Sequence, residues 1–196
     1  MGKIFYLMGK SSSGKDTILR RLLADRALPL QRIVMYTTRP IRSGETDGVD
    51  YHFVRPRDLY RLADEGRVIE ERTYHTALGM WHYFTVDDGQ VDLEHKSFVA
   101  LGTLESYLQI RNYFGKERVF PVYIEVDPGE RLARAVERER GEEHPHYKEV
   151  CRRFLADEED FSEENLKTAG IKRRFRNDTL EQTVQEIRSF CIERLR

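Results

Sequence analysis

Cysteine is scarce. The 196-residue chain has two, Cys151 and Cys191, with no Cys-x-x-Cys pair and no metal-ligand spacing between them. That excludes a disulfide framework, and it places both thiols as small apolar groups facing helix interiors in a reducing compartment. No apolar run approaches the roughly 20 residues that cross a bilayer. Met1-Gly2-Lys3 leads straight into the first apolar segment, so no secretory leader and no membrane partner are expected and a cytoplasmic location follows. Charge of one sign is also missing: 33 Lys and Arg stand against 34 Asp and Glu, a net charge of -1. Such a balance gives no general attraction to nucleic acid or anionic membrane. The six histidines are scattered, and His144 and His146 merely flank a proline. Internal repeats and low-complexity tracts are absent. What remains is a single soluble domain long enough to bury a real core, monomeric or homodimeric.

The charge balance is not uniform along the chain. Residues 1–45 hold nine Lys and Arg against three acids, a net +6 that suits anionic small ligands. Within that segment Gly9-Lys10-Ser11-Ser12-Ser13-Gly14-Lys15-Asp16-Thr17 directly follows the apolar run Ile4–Met8. The pattern is the phosphate loop G-x-x-x-x-G-K, with Asp16 where Ser or Thr ordinarily follows the lysine. Ile18, Leu19, Leu22 and Leu23 continue with helical spacing, so strand, loop and helix come in the required order. Backbone N–H groups of Ser11, Ser12, Ser13, Lys15, Asp16 and Thr17 would converge on phosphate oxygens at the helix N-terminus. Gly9 and Gly14 permit the close approach. Lys15 would reach the transferring phosphate of a nucleoside triphosphate such as ATP. Asp16 has two readings: an oxygen ligand for Mg²⁺, direct or through water, or an acid complementing the helix dipole.

Further along, strand-like and helix-like segments alternate. Strands are expected at Arg32–Tyr36, Val68-Ile69, Trp81–Val86, Phe98–Leu101, Val119–Val126 and Ile171–Arg176. Helices are expected from Pro56 to Gly66, over 103–113, in two pieces across 129–168 broken at His144-Pro145-His146, and at the C-terminus. The fold class is therefore α/β, a parallel sheet flanked by helices, with ligands at the carboxyl ends of its strands.

The run Thr37-Thr38-Arg39-Pro40-Ile41-Arg42-Ser43-Gly44-Glu45-Thr46-Asp47-Gly48-Val49-Asp50-Tyr51-His52-Phe53-Val54 resembles the GMP-binding segment of guanylate kinases. With the phosphate loop before it, and Tyr83 and Asn177-Asp178 after it, the resemblance spans most of the chain and is strongest over residues 3–70. It implies a P-loop kinase fold with a core (1–34, 96–130 and 169–196), a nucleoside-monophosphate lobe (35–95) and a helical lid (131–168). It implies, too, transfer of the γ-phosphoryl of ATP to GMP with Mg²⁺.

By the same resemblance Arg39, Arg42, Tyr51 and Tyr83 grip the acceptor phosphate, Glu70 accepts from the guanine N1–H and 2-amino group, and Thr85 reaches the base carbonyl. Arg138, Arg140 and Arg153 are the lid arginines that close on the donor phosphates, and Asn177 marks the adenine-contacting turn. The residue chemistry leaves alternatives open. Arg39 and Arg42 could pair with Glu45 and Asp47, Glu70 could be a solvated acid, and many of the lid arginines could pair with neighbouring glutamates on open helix faces.

Three departures from the family pattern bear on the acceptor. Met35 stands where a serine donates to the guanine carbonyl, Leu101 and Thr103 replace two aspartates, and about four extra residues lie around Tyr74–Trp81. Rival readings are a same-fold kinase for another phosphorylated acceptor, including a ribose bisphosphate suggested by Lys15-Asp16-Thr17, and an inactive module that holds a phosphopeptide.

Overall fold

The computed structural model describes residues 1–76 and 79–196. Its central sheet is all parallel, in the order β2 (Leu30–Arg32), β7 (Ser97–Gly102), β1 (Ile4–Met8), β8 (Val119–Glu125), β9 (Arg174–Arg176). Every residue of β1 is buried, as a middle strand covered on both faces must be. Its side chains alternate between two cores. Phe5 and Leu7 pack with α1 (Lys15–Ala24) and α7 (Leu180–Leu195), through Ile18, Leu22, Ile187 and Phe190. Ile4, Tyr6 and Met8 pack with α3 (Leu104–Phe114) and α6 (Glu163–Thr168), through Tyr107, Ile110 and Leu166. Each such fully buried side chain contributes on the order of 1.5–3 kcal/mol.

A second sheet, in the order β4 (His52–Phe53), β3 (Tyr36–Thr37), β6 (Gly79–Val86), β5 (Val68–Thr76), stands beside the first with α2 (Pro56–Asp64) packed on it through Leu59 and Leu62. Two further helices, α4 (Pro128–Arg140) and α5 (Tyr147–Asp160), complete the chain. Local chemistry starts the helices where they begin. The Asp127 carboxylate accepts from Gly129 N and Glu130 N ahead of α4, whose first residue is Pro128. Thr103 caps α3 in the same way through Ser106 N, which gives this position, expected to hold an acid, a structural role.

The observed elements depart from expectation at three places, one being 129–168, which holds three helices, α4, α5 and α6, rather than two. The single strand expected at Arg32–Tyr36 is two, because the chain leaves the central sheet after Arg32 and joins the second sheet at Tyr36. The short Val68-Ile69 strand is instead nine residues long, paired antiparallel with β6 as far as Thr76 opposite Gly79. The residues expected as an insertion around Tyr74–Trp81 therefore extend a hairpin, although Ala77 and Leu78 lie outside the described residues. Cys191 is buried as expected, but Cys151 is exposed on α5. Among the described residues no helix is long and apolar enough to cross a membrane.

Candidate active site

The loop from β1 to α1 closes around its own backbone. Gly14 precedes the helix at φ 87°, a conformation that favours glycine. A Cβ there would lie 2.5 Å from Nδ2 of Asn177. Asn177, buried just after β9, donates from that atom to the Ser13 carbonyl at 2.9 Å. The residue expected at an adenine-contacting turn thus braces the phosphate loop from below. The hydroxyl oxygens of Ser12 and Ser13 are buried without a hydrogen-bond partner among the described residues, as is Nε of Arg131. Buried polar atoms are ordinarily satisfied. Three such atoms gather around one loop.

Lys15 opens the helix, with Nζ 3.4 Å from the Lys10 carbonyl. Burial lowers its pKa, with Asp16 and Asp157 opposing and Arg138 and Arg131 reinforcing the shift. Asp16 is exposed at the mouth of the loop. From α5, Asp157 Oδ2 accepts from Ser11 N at 2.7 Å and from Arg131 Nη1 at 3.2 Å. Glu158 pairs with Lys10 at 2.6 Å and with Arg131 Nη2 at 2.5 Å. Arg131 is 2% exposed, its guanidinium 4.2 Å from the ring centre of Phe154. This knot joins α4, α5 and the phosphate loop. Sequence reading missed both Arg131 and Asp157; their only signal was position among many alternating charges.

A cavity of about 340 Å³ lies between the loop, the carboxyl end of β7, the second sheet and α5. Gly9, Ser11, Lys15 and Asp16 line it on one side, and Arg42, Tyr51 and Tyr83 on the other, so two groups far apart in sequence face one space. Leu101 and Thr103, at the carboxyl end of β7, line it as well, and Arg152, Arg153, Asp157 and Asp160 line it from α5. Asp160 is held above its ordinary pKa, by burial first and then by Asp157, Glu159 and Glu105.

Arg39 is 4% exposed and does not line this cavity. It forks onto Glu45 at 2.7 and 2.5 Å, donates from Nε to the Tyr83 hydroxyl at 3.0 Å, and lies over the Tyr51 ring at 5.1 Å. The Glu45 pairing that the sequence left open is therefore present for Arg39. Arg42 rests its guanidinium over Trp81 at 5.9 Å.

Glu70 is no solvated acid. It is 2% exposed and bound by Arg72 and Thr85. Neither Glu70 nor Thr85 lines the cavity, whereas Arg72 and Met35 do. Of the three lid arginines, Arg153 lines the main cavity and holds Glu149 at 2.8 Å. Arg138 lines a smaller adjoining cavity that it shares with Ser11, Arg131 and Arg153. Arg140 does not join them; it pairs with Glu137 at 2.8 Å on an open helix face, its side chain 66% exposed. Arg152, not singled out from sequence, shares the main cavity and the Glu149 partner.

The donor set suits Mg²⁺, which takes one or two carboxylates and leaves its other positions to phosphate oxygens and water. Asp16 stands beside the phosphate loop, with Asp157 and Asp160 on the same cavity.

A parallel sheet whose middle strand ends in a phosphate loop, facing a small second sheet across a cleft, is the architecture of P-loop kinase-fold proteins. The sequence profile of the family described as guanylate kinase matches residues 1–193, and the chain belongs to that family. It is similar to the guanylate kinase of Mycolicibacterium paratuberculosis, 44% identical over 77 residues that cover 39% of this chain and 34% of that protein. The guanylate kinase of Mycobacterium leprae is 35% identical over 126 residues, covering 64% of this chain and 48% of the relative. The matched stretch thus spans about a third to a half of the length of these two relatives. In fold, the chain superposes on the crystal structure of guanylate kinase from Anaplasma phagocytophilum with a TM-score of 0.68 at 21% identity, covering 100% of this chain and 87% of the other.

Proposed function

We propose that this chain transfers the γ-phosphoryl group of ATP to the phosphate of GMP, giving ADP and GDP. The observation that carries the reading is the single cavity shared by Lys15 of the phosphate loop and by Arg42, Tyr51 and Tyr83 of the second sheet. A donor phosphate cradled on one side and an acceptor phosphate gripped on the other would meet within it. Phosphoryl transfer asks the protein mainly for alignment and charge neutralisation. The acceptor oxygen is already anionic, so it attacks the γ-phosphorus and ADP leaves with the bridging oxygen, without a protein general base.

In this reading the second sheet is the acceptor lobe and α4–α5 the lid. Lys15 and the loop N–H groups hold the β- and γ-phosphates, while Arg138 and Arg153 approach them from the lid and offset the charge that shifts during transfer. Arg42, Tyr51 and Tyr83 touch the acceptor phosphate; Arg39, fixed by Glu45, orients Tyr83 and Tyr51 and adds its charge. Asp16 would hold Mg²⁺, which when bound neutralises phosphate charge and fixes the donor's conformation. A reducing, cytoplasmic setting is proposed from the two unpaired cysteines.

The test is ADP release from ATP and Mg²⁺ in the presence and absence of GMP. GMP-dependent ADP formation that Lys15→Ala abolishes is the expected result. ADP formation that ignores GMP, or that survives in Lys15→Ala, contradicts the reading.

A further inference from the structure

The base end of the acceptor lobe is built differently from its phosphate end. Glu70 and Thr85 are direct partners across β5 and β6. Both oxygens of Glu70 are engaged: Oε1 accepts from Thr85 Oγ1 at 2.7 Å and from Arg72 Nη2 at 3.3 Å, and Oε2 from Arg72 Nε at 2.9 Å. The Glu70 side chain is fully buried behind its partner. What faces the cavity is Arg72 with Met35, whose sulfur lies 3.4 Å from Nη2.

A guanidinium offers five N–H donors and no acceptor, and a thioether is only a weak acceptor. The Nε–Nη2 edge of Arg72 lies against Glu70, and Nη1 has no hydrogen-bond partner among the described residues. Burial opposes the charge on Arg72, but Glu70 first and then Tyr6 and Tyr74 together outweigh it and raise the pKa, so the group stays a cation.

We infer that Arg72, held in place by Glu70, reads the base of the acceptor, and that the site takes 6-oxopurine nucleoside monophosphates whatever the substituent at C2. This inference rests on the nucleotide-kinase reading above. The 6-carbonyl and N7 of guanine are acceptors on one edge, and Nη1 of Arg72, whose other nitrogens bind Glu70 and Met35, donates to the 6-carbonyl. Hypoxanthine and xanthine carry the same two acceptors. Adenine places an amino donor there and meets Arg72 donor against donor. A carboxylate reader would select differently: it needs N1–H beside the 2-amino group, which hypoxanthine lacks and which xanthine replaces with a carbonyl. Met35 brings no donor to the 6-carbonyl, and Arg72 supplies that donor from β5, two strands away from β3 in the sheet.

The test is kcat/KM of the full chain with ATP and Mg²⁺ for GMP, IMP, XMP and AMP, then for GMP and IMP with Arg72→Ala. IMP and XMP within thirtyfold of GMP, with AMP at least a hundredfold below it, is the expected pattern. In Arg72→Ala, Glu70 is uncovered and GMP gains at least tenfold over IMP. Loss of more than thirtyfold on replacing GMP by IMP or XMP overturns the inference and leaves the kinase reading standing. So does AMP turnover within a hundredfold of GMP. Absence of product from all four acceptors overturns both. The wild-type panel decides independently of whether the variant folds.

Discussion

Gly14 and Asn177 are 163 positions apart, yet they are one mechanical unit, and a double-mutant cycle can measure it. Replacing Gly14 by Ala forces a side chain into φ 87°, a strain of about 1–2 kcal/mol. The new Cβ would stand 2.5 Å from Asn177 Nδ2, so the amide must swing away from the Ser13 carbonyl it now meets at 2.9 Å. Leaving that carbonyl unpaired costs about 1–3 kcal/mol. Gly14→Ala therefore costs about 2–5 kcal/mol in all. Asn177→Ala loses the same hydrogen bond and costs about 1–3 kcal/mol alone.

In the double variant the bond can be lost only once, and no amide remains to clash. Its destabilisation should match that of Gly14→Ala rather than the sum, a coupling of about 1–3 kcal/mol. Urea unfolding of the four proteins gives the cycle, and titration with ATP shows whether the loop loses nucleotide affinity in step. Additive losses would refute the brace.

Two further outcomes are expected. Arg39→Ala removes bonds to Glu45 and Tyr83, costs about 1–3 kcal/mol of stability and raises the KM for GMP at least tenfold; an unchanged KM would show that the phosphate cage is misassigned. Burial pushes the Cys191 thiol from 9.0 up to about 12. Between those values the unfolded chain loses a proton that the folded chain keeps, so the stability from this group is intact below pH 9 and falls by about 1.4 kcal/mol per pH unit above it. Urea melts at pH 8 and 10 on wild type and Cys191→Ala should show that component only in the wild type.

The central sheet and phosphate loop were legible because both are written in patterns that tolerate little else. An apolar strand, paired glycines, a lysine and a 3.6-residue period occur in fixed order, and each is read without knowing its neighbours. The β5–β6 hairpin was not legible beyond Val68-Ile69. Its inward positions are Glu70 and Arg72, so burial there follows a charge pair rather than hydrophobicity, and the usual alternation is inverted. The same reason hid Arg131, a fully buried cation that looks in sequence like its solvent-facing neighbours Arg134 and Arg140. Cys151 erred in the opposite direction. Helical spacing shows that two positions share a face, and tertiary packing decides whether anything covers that face. Of Arg39, Arg42 and Tyr51, proposed to grip the acceptor phosphate, Arg42 and Tyr51 line one cavity, while the fork between Arg39 and Glu45 was one of two readings the sequence left open.

The most direct measurement is the fate of labelled γ-phosphate when wild-type protein meets ATP, Mg²⁺ and GMP. Label recovered in the β-position of GDP, one per ADP formed, is the result expected of a cradle and a cage that share one cavity. Label recovered only as inorganic phosphate would mean that water, not a gripped acceptor, occupies the space across from Lys15, and would contradict the account.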